Sequence, residues 1–496
     1  MALLVAIVFT GTLSYILLTF SAVMNRLIKT VNRSRMKQIL KIIALLVGVI
    51  IAGTLLYALL TFPVVMSGTV AKTTCSCVYL TGRSLESVRK KELQVFPGLS
   101  SVGIELNNQD STVVATILWK KSKAIFRKGL GCTLLAERSE EEVRNQKINL
   151  PPPPPVNQDS LAWPTGNITS DSLLPGVNYA VIQKAVADAF TDVDPENPVN
   201  THAVVVLYKG QIVGEKYAEG FDLHSKFMGW SMAKSITNAL VGILVKEGKL
   251  NVNEPAPVAE WQQDERKEIT LQNLLHASSG LDWSESLFVP TSNLHTMFIK
   301  RDDKGEYAAS VKLKNKPGEF FQYSSGSANI ISKIVRQTVG DEQYYRFPYE
   351  KLFYKIGMNH ATLEPDASGT FVGSSYSFGA ARDWARFGLL YLNDGIWNGE
   401  RILPEGWVNY STTPGPAAKK QQYGALWWLN YGDLKNPGDV QYQGLPNEAF
   451  MATGLERQFV VVIPSKKLVV VRLGVTHNKN FNIQTLVNAV MKGLPE

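Results

Sequence analysis

The chain has 496 residues, 45% of them apolar and 19% charged, with a formal net charge of +8. This length holds two or three units around one sizeable core, and the composition is that of a globular protein with membrane segments. The charge is local: residues 25–41 carry Arg26, Lys29, Arg33, Arg35, Lys37 and Lys41 without an acid, so only +2 is left for the rest and nucleic acid is not an expected partner.

The basic cluster separates two apolar stretches, residues 2–24 and 42–66, each free of charge and long enough to cross a bilayer as a helix. A short loop this rich in Lys and Arg stays cytoplasmic. The expected anchor is therefore two transmembrane helices over 1–66, with residues 67–496 on the extracytoplasmic (periplasmic) side of a cell inner membrane. A start at Met24 or Met36 gives an ordinary signal anchor and exports the same domain.

Residues 67–150 alternate short β-like runs with turns, at 101–106, 112–119, 123–127 and 132–135, and read as a small β-rich region. In an oxidising compartment Cys132 pairs with Cys75 or Cys77, leaving an odd thiol. Cys-x-Cys without further Cys or His nearby is a poor zinc site, and the six scattered histidines lack ligand spacing, so no metal is expected. Five consecutive prolines, 151–155, open a linker over 151–170 that reads as a semi-rigid spacer.

The main domain, 171–496, opens with a helix over 180–190 and a hairpin of residues 203–208 and 211–217 about Lys209-Gly210. It closes with strands 458–463 and 468–473, a Pro464-Ser465-Lys466-Lys467 turn between them, and an amphipathic helix over 482–491. Strands at both ends with helical material between predict an α+β fold, one antiparallel sheet flanked by helices.

Between these ends lies Gly229-Trp230-Ser231-Met232-Ala233-Lys234. The apolar spacing of Met232, Ile236, Leu240, Ile243 and Leu244 predicts a core-going helix over 231–247. Ser231 and Lys234, three apart, then share one helix face at its positive end. That setting favours an alkoxide and lowers the lysine pKa, so a neutral lysine can take the serine proton and no histidine is needed. A Pro317-Gly318 turn places Tyr323 on a loop before a helix over 328–335, where a phenol near the lysine can shuttle protons. Gly454 of Ala452-Thr453-Gly454-Leu455 lets backbone approach a ligand closely, and the Leu455 N–H can join that of Ser231 as an oxyanion hole. Trp230, Tyr423, Trp427 and Trp428 are candidate pocket walls, and the loops 284–310 and 411–448 are expected to shape the pocket.

These three stations, in this order, resemble the serine β-lactamase-like hydrolases, which include class C β-lactamases, DD-peptidases, esterases and 6-aminohexanoate-dimer hydrolases. Leu274-Leu275-His276-Ala277-Ser278-Ser279-Gly280-Leu281, Ala381-Arg382-Asp383-Trp384-Ala385-Arg386-Phe387-Gly388 and Tyr423-Gly424-Ala425-Leu426-Trp427-Trp428 look like the same family. The resemblance covers about 175–490. It implies a β-lactamase/transpeptidase-like fold with a helical subdomain. Ser231 is then the nucleophile, Lys234 its base and Tyr323 the proton shuttle, with Ser231 and Leu455 as oxyanion donors. Gly454, Ser325, Tyr423 and Trp230 fall at the substrate, and no cofactor is implied.

Two positions depart from the family pattern. Ser325 stands where Tyr-x-Asn has its Asn, and Ala452 stands where Lys-Thr-Gly or His-x-Gly has its cation. Losing a charge-assisted contact to a substrate carboxylate costs ~1.5–3 kcal/mol. The expected reaction is therefore hydrolysis of a small-molecule ester or amide, in the manner of the 6-aminohexanoate-hydrolase branch. The rival readings are a true β-lactamase or DD-peptidase, a non-catalytic binding or assembly protein on this fold, and an α/β-hydrolase using Gly229-x-Ser231-x-Ala233 with His477.

Overall fold

One helix, α1 (Arg33–Cys75), carries the second apolar stretch and runs on beyond it. The computed structural model describes residues 33–96, 98–436, 438–477 and 480–495, so the first apolar stretch, 2–24, lies outside the described residues. Among the described residues α1 with its short extension is the one helix long and apolar enough to cross a membrane. Its surroundings change along its length. Leu45 and Leu56 are 67% and 58% exposed, whereas Val70 and Ala71 are fully buried. The exposed part, residues 42–62, spans about 31 Å at the helical rise, the thickness of a bilayer's hydrocarbon core.

The sequence read the region after residue 66 as the start of a separate β-rich unit, but the helix continues to Cys75. Residues 67–75 are mostly small and hydroxylic, which reads as loop, yet extending an existing helix costs no new nucleus. Burial against the sheet then holds it: Val70 and Ala71 pack with Val113, Ala115, Ala124 and Cys132. That sheet is an antiparallel meander of β1 (Gly103–Asn107), β2 (Thr112–Ile117), β3 (Lys120–Arg127) and β4 (Gly131–Leu135). Cys132 pairs with Cys75, which joins the end of α1 to β4, and Cys77 is a buried free thiol. The meander docks on the main domain through buried polar contacts: Glu364 accepts from Lys72, from the Ser76 hydroxyl and from the Cys132 N–H at 2.6 Å.

The linker after the prolines is not a free spacer. Trp163 donates to the Gly210 carbonyl at 2.7 Å, and the buried Arg386 donates to the carbonyls of Pro164 (2.8 Å) and Gly166 (2.7 Å). A guanidinium carries five donors in a fixed fork and so ties down several carbonyls at once, and sequence spacing gives no sign of such long-range pins.

The main domain opens with α2 (Tyr179–Asp188) and the hairpin β5 (Thr201–Tyr208) and β6 (Gln211–Tyr217), all close to expectation. Then come three long helices, α3 (Ala233–Lys246), α4 (Ser325–Val339) and α5 (Ala381–Leu392). The short β7 (Trp428–Leu429) precedes β8 (Phe450–Gly454), β9 (Gln458–Ile463), β10 (Leu468–Gly474) and α6 (Ile483–Met491). The six strands form one antiparallel sheet in the order β7-β8-β9-β10-β5-β6, so the two ends of the domain meet where Val470 pairs with Val206.

Helices cover both faces of this sheet. Val204, Val206, Val461 and Val470 point to α2 and α6, and Val205, Val460, Val469 and Val471 point to α3 and α5. This double burial explains why the strands read as unbroken valine runs without polar alternation. The α+β architecture with an antiparallel sheet between helix layers is as expected.

Candidate active site

The nucleophile helix begins later than its periodicity suggests. Ser231 lies in a short 3-10 turn, Trp230–Met232, and α3 starts at Ala233. Trp230 adopts φ 48°, a strained left-handed conformation for an aromatic residue, of the kind that clusters at functional sites. The turn still places Ser231 at the positive end of α3.

Lys234, in the first turn of α3, is only 2% exposed. Its Nζ donates to Ser231 Oγ at 3.1 Å, to Ser325 Oγ at 3.1 Å and to the Ser374 carbonyl at 3.0 Å. These three contacts fix the Nζ beside the serine. The same Nζ lies 4.7 Å from the centre of the Tyr323 ring. Tyr323 is held by aromatic contacts, stacked on Trp428 at 5.3 Å and edge-on to Tyr423 at 5.8 Å.

The helix after Tyr323 starts at Ser325, three residues before expectation, because the Ser324 hydroxyl caps it by accepting the Ser327 N–H at 3.0 Å. Ser325 is buried at the start of α4 and links Lys234 to Glu285. Its hydroxyl accepts from Lys234 and donates to the Glu285 carboxylate, and its backbone N–H donates to the other Glu285 oxygen at 2.9 Å. The Trp283 indole also donates to Glu285. Sequence reasoning missed Glu285, which follows Asp282-Trp283 with no spacing to mark it.

The third station is the end of strand β8. Gly454 lies against the nucleophile turn so closely that a Cβ there would sit 2.2 Å from the Gly229 carbonyl oxygen. Ala452, at the place of the family's cation, is 1% exposed in the core beside α3 and α5. Behind Leu455, Glu456 has φ 62° and accepts from the Trp230 indole at 3.3 Å; burial pushes its carboxyl well above the usual range.

Ser231, Tyr323, Ser325, Thr453, Gly454 and Leu455 line one cavity of about 360 Å³, with Trp230, Glu285 and Trp428 beside them. Tyr423 is 1% exposed, lies outside this lining and backs Tyr323 and Trp428 instead. Trp427 is fully buried between Phe387 and Phe450, a core residue and not a wall. The loop 285–299 contributes to the wall as expected. So does a part that no sequence pattern marks: Thr69 and Thr73 of α1, and Glu92, Leu93, Val95, Phe96 and Leu99 after it. Among the described lining residues the charged ones are Glu92 and Glu285, and none is Lys or Arg.

Residues 186–483 match the β-lactamase family model. The chain belongs to the β-lactamase family of serine hydrolases. It is 25% identical over 271 residues to the 6-aminohexanoate-dimer hydrolase of Paenarthrobacter ureafaciens, covering 49% of this chain and 68% of that one. A penicillin-binding protein homologue from Caulobacter crescentus has a similar fold, with a TM-score of 0.50 at 14% identity over 66% of this chain and 99% of that one. So does EstCE1, a hydrolase with promiscuous acyltransferase activity, with a TM-score of 0.50 at 14% identity over 64% of this chain and 99% of that one.

The α/β-hydrolase reading fails on topology, because it needs parallel βαβ units and the main sheet is antiparallel. His477 bonds the Lys91 carbonyl at 2.6 Å and faces Glu456 at 3.6 Å. Among the described residues no group of three or more His, Cys, Asp or Glu is placed to hold a metal.

Proposed function

We propose that this serine hydrolase cleaves an ester or amide through an acyl-enzyme on Ser231. The reaction sets Ser231 Oγ on the carbonyl carbon while Lys234 takes its proton. The carbonyl oxygen becomes an oxyanion held by the N–H groups of Ser231 and Leu455. Collapse breaks the bond to the leaving group, which receives a proton through Tyr323, and water then attacks the acyl carbon, frees the acid and returns the proton to Ser231. The observation that carries this reading is the 3.1 Å contact of Lys234 Nζ with Ser231 Oγ at a cavity that Tyr323 and Leu455 also line.

The catalytic unit, 171–496, is in this reading tethered through the region 67–150 and the linker 151–170 to a membrane anchor over 1–66, and faces the extracytoplasmic side. The exposed apolar part of α1 and the Cys75–Cys132 disulfide support that placement. The substrate carries no carboxylate next to the scissile bond, since none of the described lining residues is Lys or Arg and Glu285 faces the cavity. An amide or ester like those of 6-aminohexanoate-dimer hydrolase relatives fits this better than a penicillin.

Labelling of the full chain with a fluorophosphonate, mapped by peptide mass spectrometry beside Ser231→Ala, tests the reading. An adduct on Ser231 that vanishes in the variant is expected, and a folded protein that takes no label would sink it.

A further inference from the structure

The cavity over Ser231 is built from two parts of the chain that the reaction itself does not require to meet. Its floor is the catalytic turn, with Tyr323, Ser325 and Gly454. The rest of its lining includes Thr69 and Thr73 of α1, Leu93 and Phe96 of the segment that follows, and Leu287 and Phe298. Part of the lining is thus the continuation of the helix that, about three turns earlier, is apolar and exposed at Leu56 and Leu60.

A second contact ties the cavity to that exposed stretch. The hydroxyls of Tyr57 and Thr291 lie 2.6 Å apart, so the loop after Glu285 runs beside the outer part of α1. That loop ends in an apolar tip, with Phe288 75% and Val289 45% exposed, and Phe288 meets the cavity residue Phe96 edge-on at 6.3 Å. An exposed Phe-Val tip beside an exposed apolar helix is costly in water and stable at the edge of a bilayer.

We infer that the substrate is a lipid-like acyl ester whose apolar chain enters the cavity from the membrane that α1 spans, past Phe288 and Phe96, to lie against Thr69, Thr73 and Leu93 with its carbonyl at Ser231. The inference rests on the hydrolase reading and on α1 as the anchor. It explains why the cavity is largely apolar and why the small meander, remote from the chemistry, docks where it does. Glu285 disfavours an anionic group beside the ester, while Glu92 is already paired with Arg83.

The test uses the full chain reconstituted in phosphatidylcholine vesicles, with p-nitrophenyl acetate, octanoate and palmitate as substrates and fluorophosphonates of matched alkyl length as labels. Burying successive methylenes is expected to raise kcat/KM and labelling rate by about a hundredfold or more from acetate to octanoate. Thr69→Trp, which fills part of the cavity from its lining, is expected to lower the octanoate-to-acetate ratio at least about tenfold. The wild-type series stands alone if that variant does not fold. Flat or falling rates with chain length, on a protein whose Ser231 is labelled, overturn the inference and leave the hydrolase reading intact. Absence of label at every length overturns the hydrolase reading itself. A long-chain preference that is the same for octanoate dissolved as monomers, with no gain for palmitate in vesicles, overturns the membrane as the source.

Discussion

Gly454 lies so close to Gly229 that a Cβ on it would collide with the Gly229 carbonyl oxygen, at 2.2 Å. The contact joins the nucleophile turn to the end of β8 and so fixes the Leu455 N–H relative to Ser231. Any side chain at 454 has to push backbone, not a flexible side chain. Gly454→Ala is therefore expected to lower kcat by about 10²–10³, the cost of one lost oxyanion donor, while Ser231 still accepts a fluorophosphonate slowly. Stopped ester assays with a melting curve on the same sample check this; a loss under about threefold would show that the approach is not needed.

What was readable in the sequence follows from what is local. The Ser231–Lys234 pair, the two terminal hairpins and the turn at 464–467 depend on residues near each other in the chain, and the structure has them close to where periodicity and turn chemistry predict. The position of Ser231 in a 3-10 turn was not readable, because Trp230 takes a left-handed conformation that only tertiary packing enforces. Glu285 was hidden for a similar reason: its role comes from contacts with Ser325, 40 residues away. The wall formed by Thr69 and Thr73 was the least legible. Small hydroxylic residues after an apolar run look like the end of a helix, and nothing local shows that a sheet and a catalytic domain will close over them.

Glu285 receives the Ser325 hydroxyl and backbone N–H together with the Trp283 indole, and Ser325 in turn accepts from Lys234. It is a positioning residue for Lys234. Glu285→Gln keeps an acceptor, whereas Glu285→Ala leaves buried donors unmet, which costs ~1–3 kcal/mol. The expected order of kcat is wild type, then Gln, then Ala, with the last down by about ten- to a hundredfold and KM for a short ester little changed. Equal kcat in all three proteins would remove Glu285 from the site.

Carboxylated β-lactams are expected to be poor substrates. Ala452 supplies no cation, and the Glu285 carboxylate faces the cavity. Nitrocefin should react about ten- to a hundredfold more slowly than its methyl ester, the value of one charge-assisted contact. Raising the salt concentration should narrow the gap, because the repulsion is screened. A faster reaction with the free acid would mean that a cation outside the described lining reaches the substrate.

Burial lowers the imidazole of His276 to about 4 from the ordinary 6.5, and its Nδ1 has no hydrogen-bond partner. The ring is 6% exposed and meets Tyr410 edge-on at 5.4 Å. Its pKa is lower in the folded state, so between pH 6.5 and 4 the unfolded chain binds the extra proton and stability falls as pH falls. Complete titration of this one group across that window is worth about 3 kcal/mol. His202, His295 and His477, also lowered by burial, act in the same direction, whereas the raised carboxyls of Glu92 and Glu456 gain stability on acidification. The wild-type slope mixes these terms, and the difference from His276→Phe isolates one of them. The variant is expected to lose less melting temperature than wild type between pH 7 and 4.5, with the two curves closest at neutral pH. Parallel curves across the whole range would mean that His276 is solvated in solution and titrates normally.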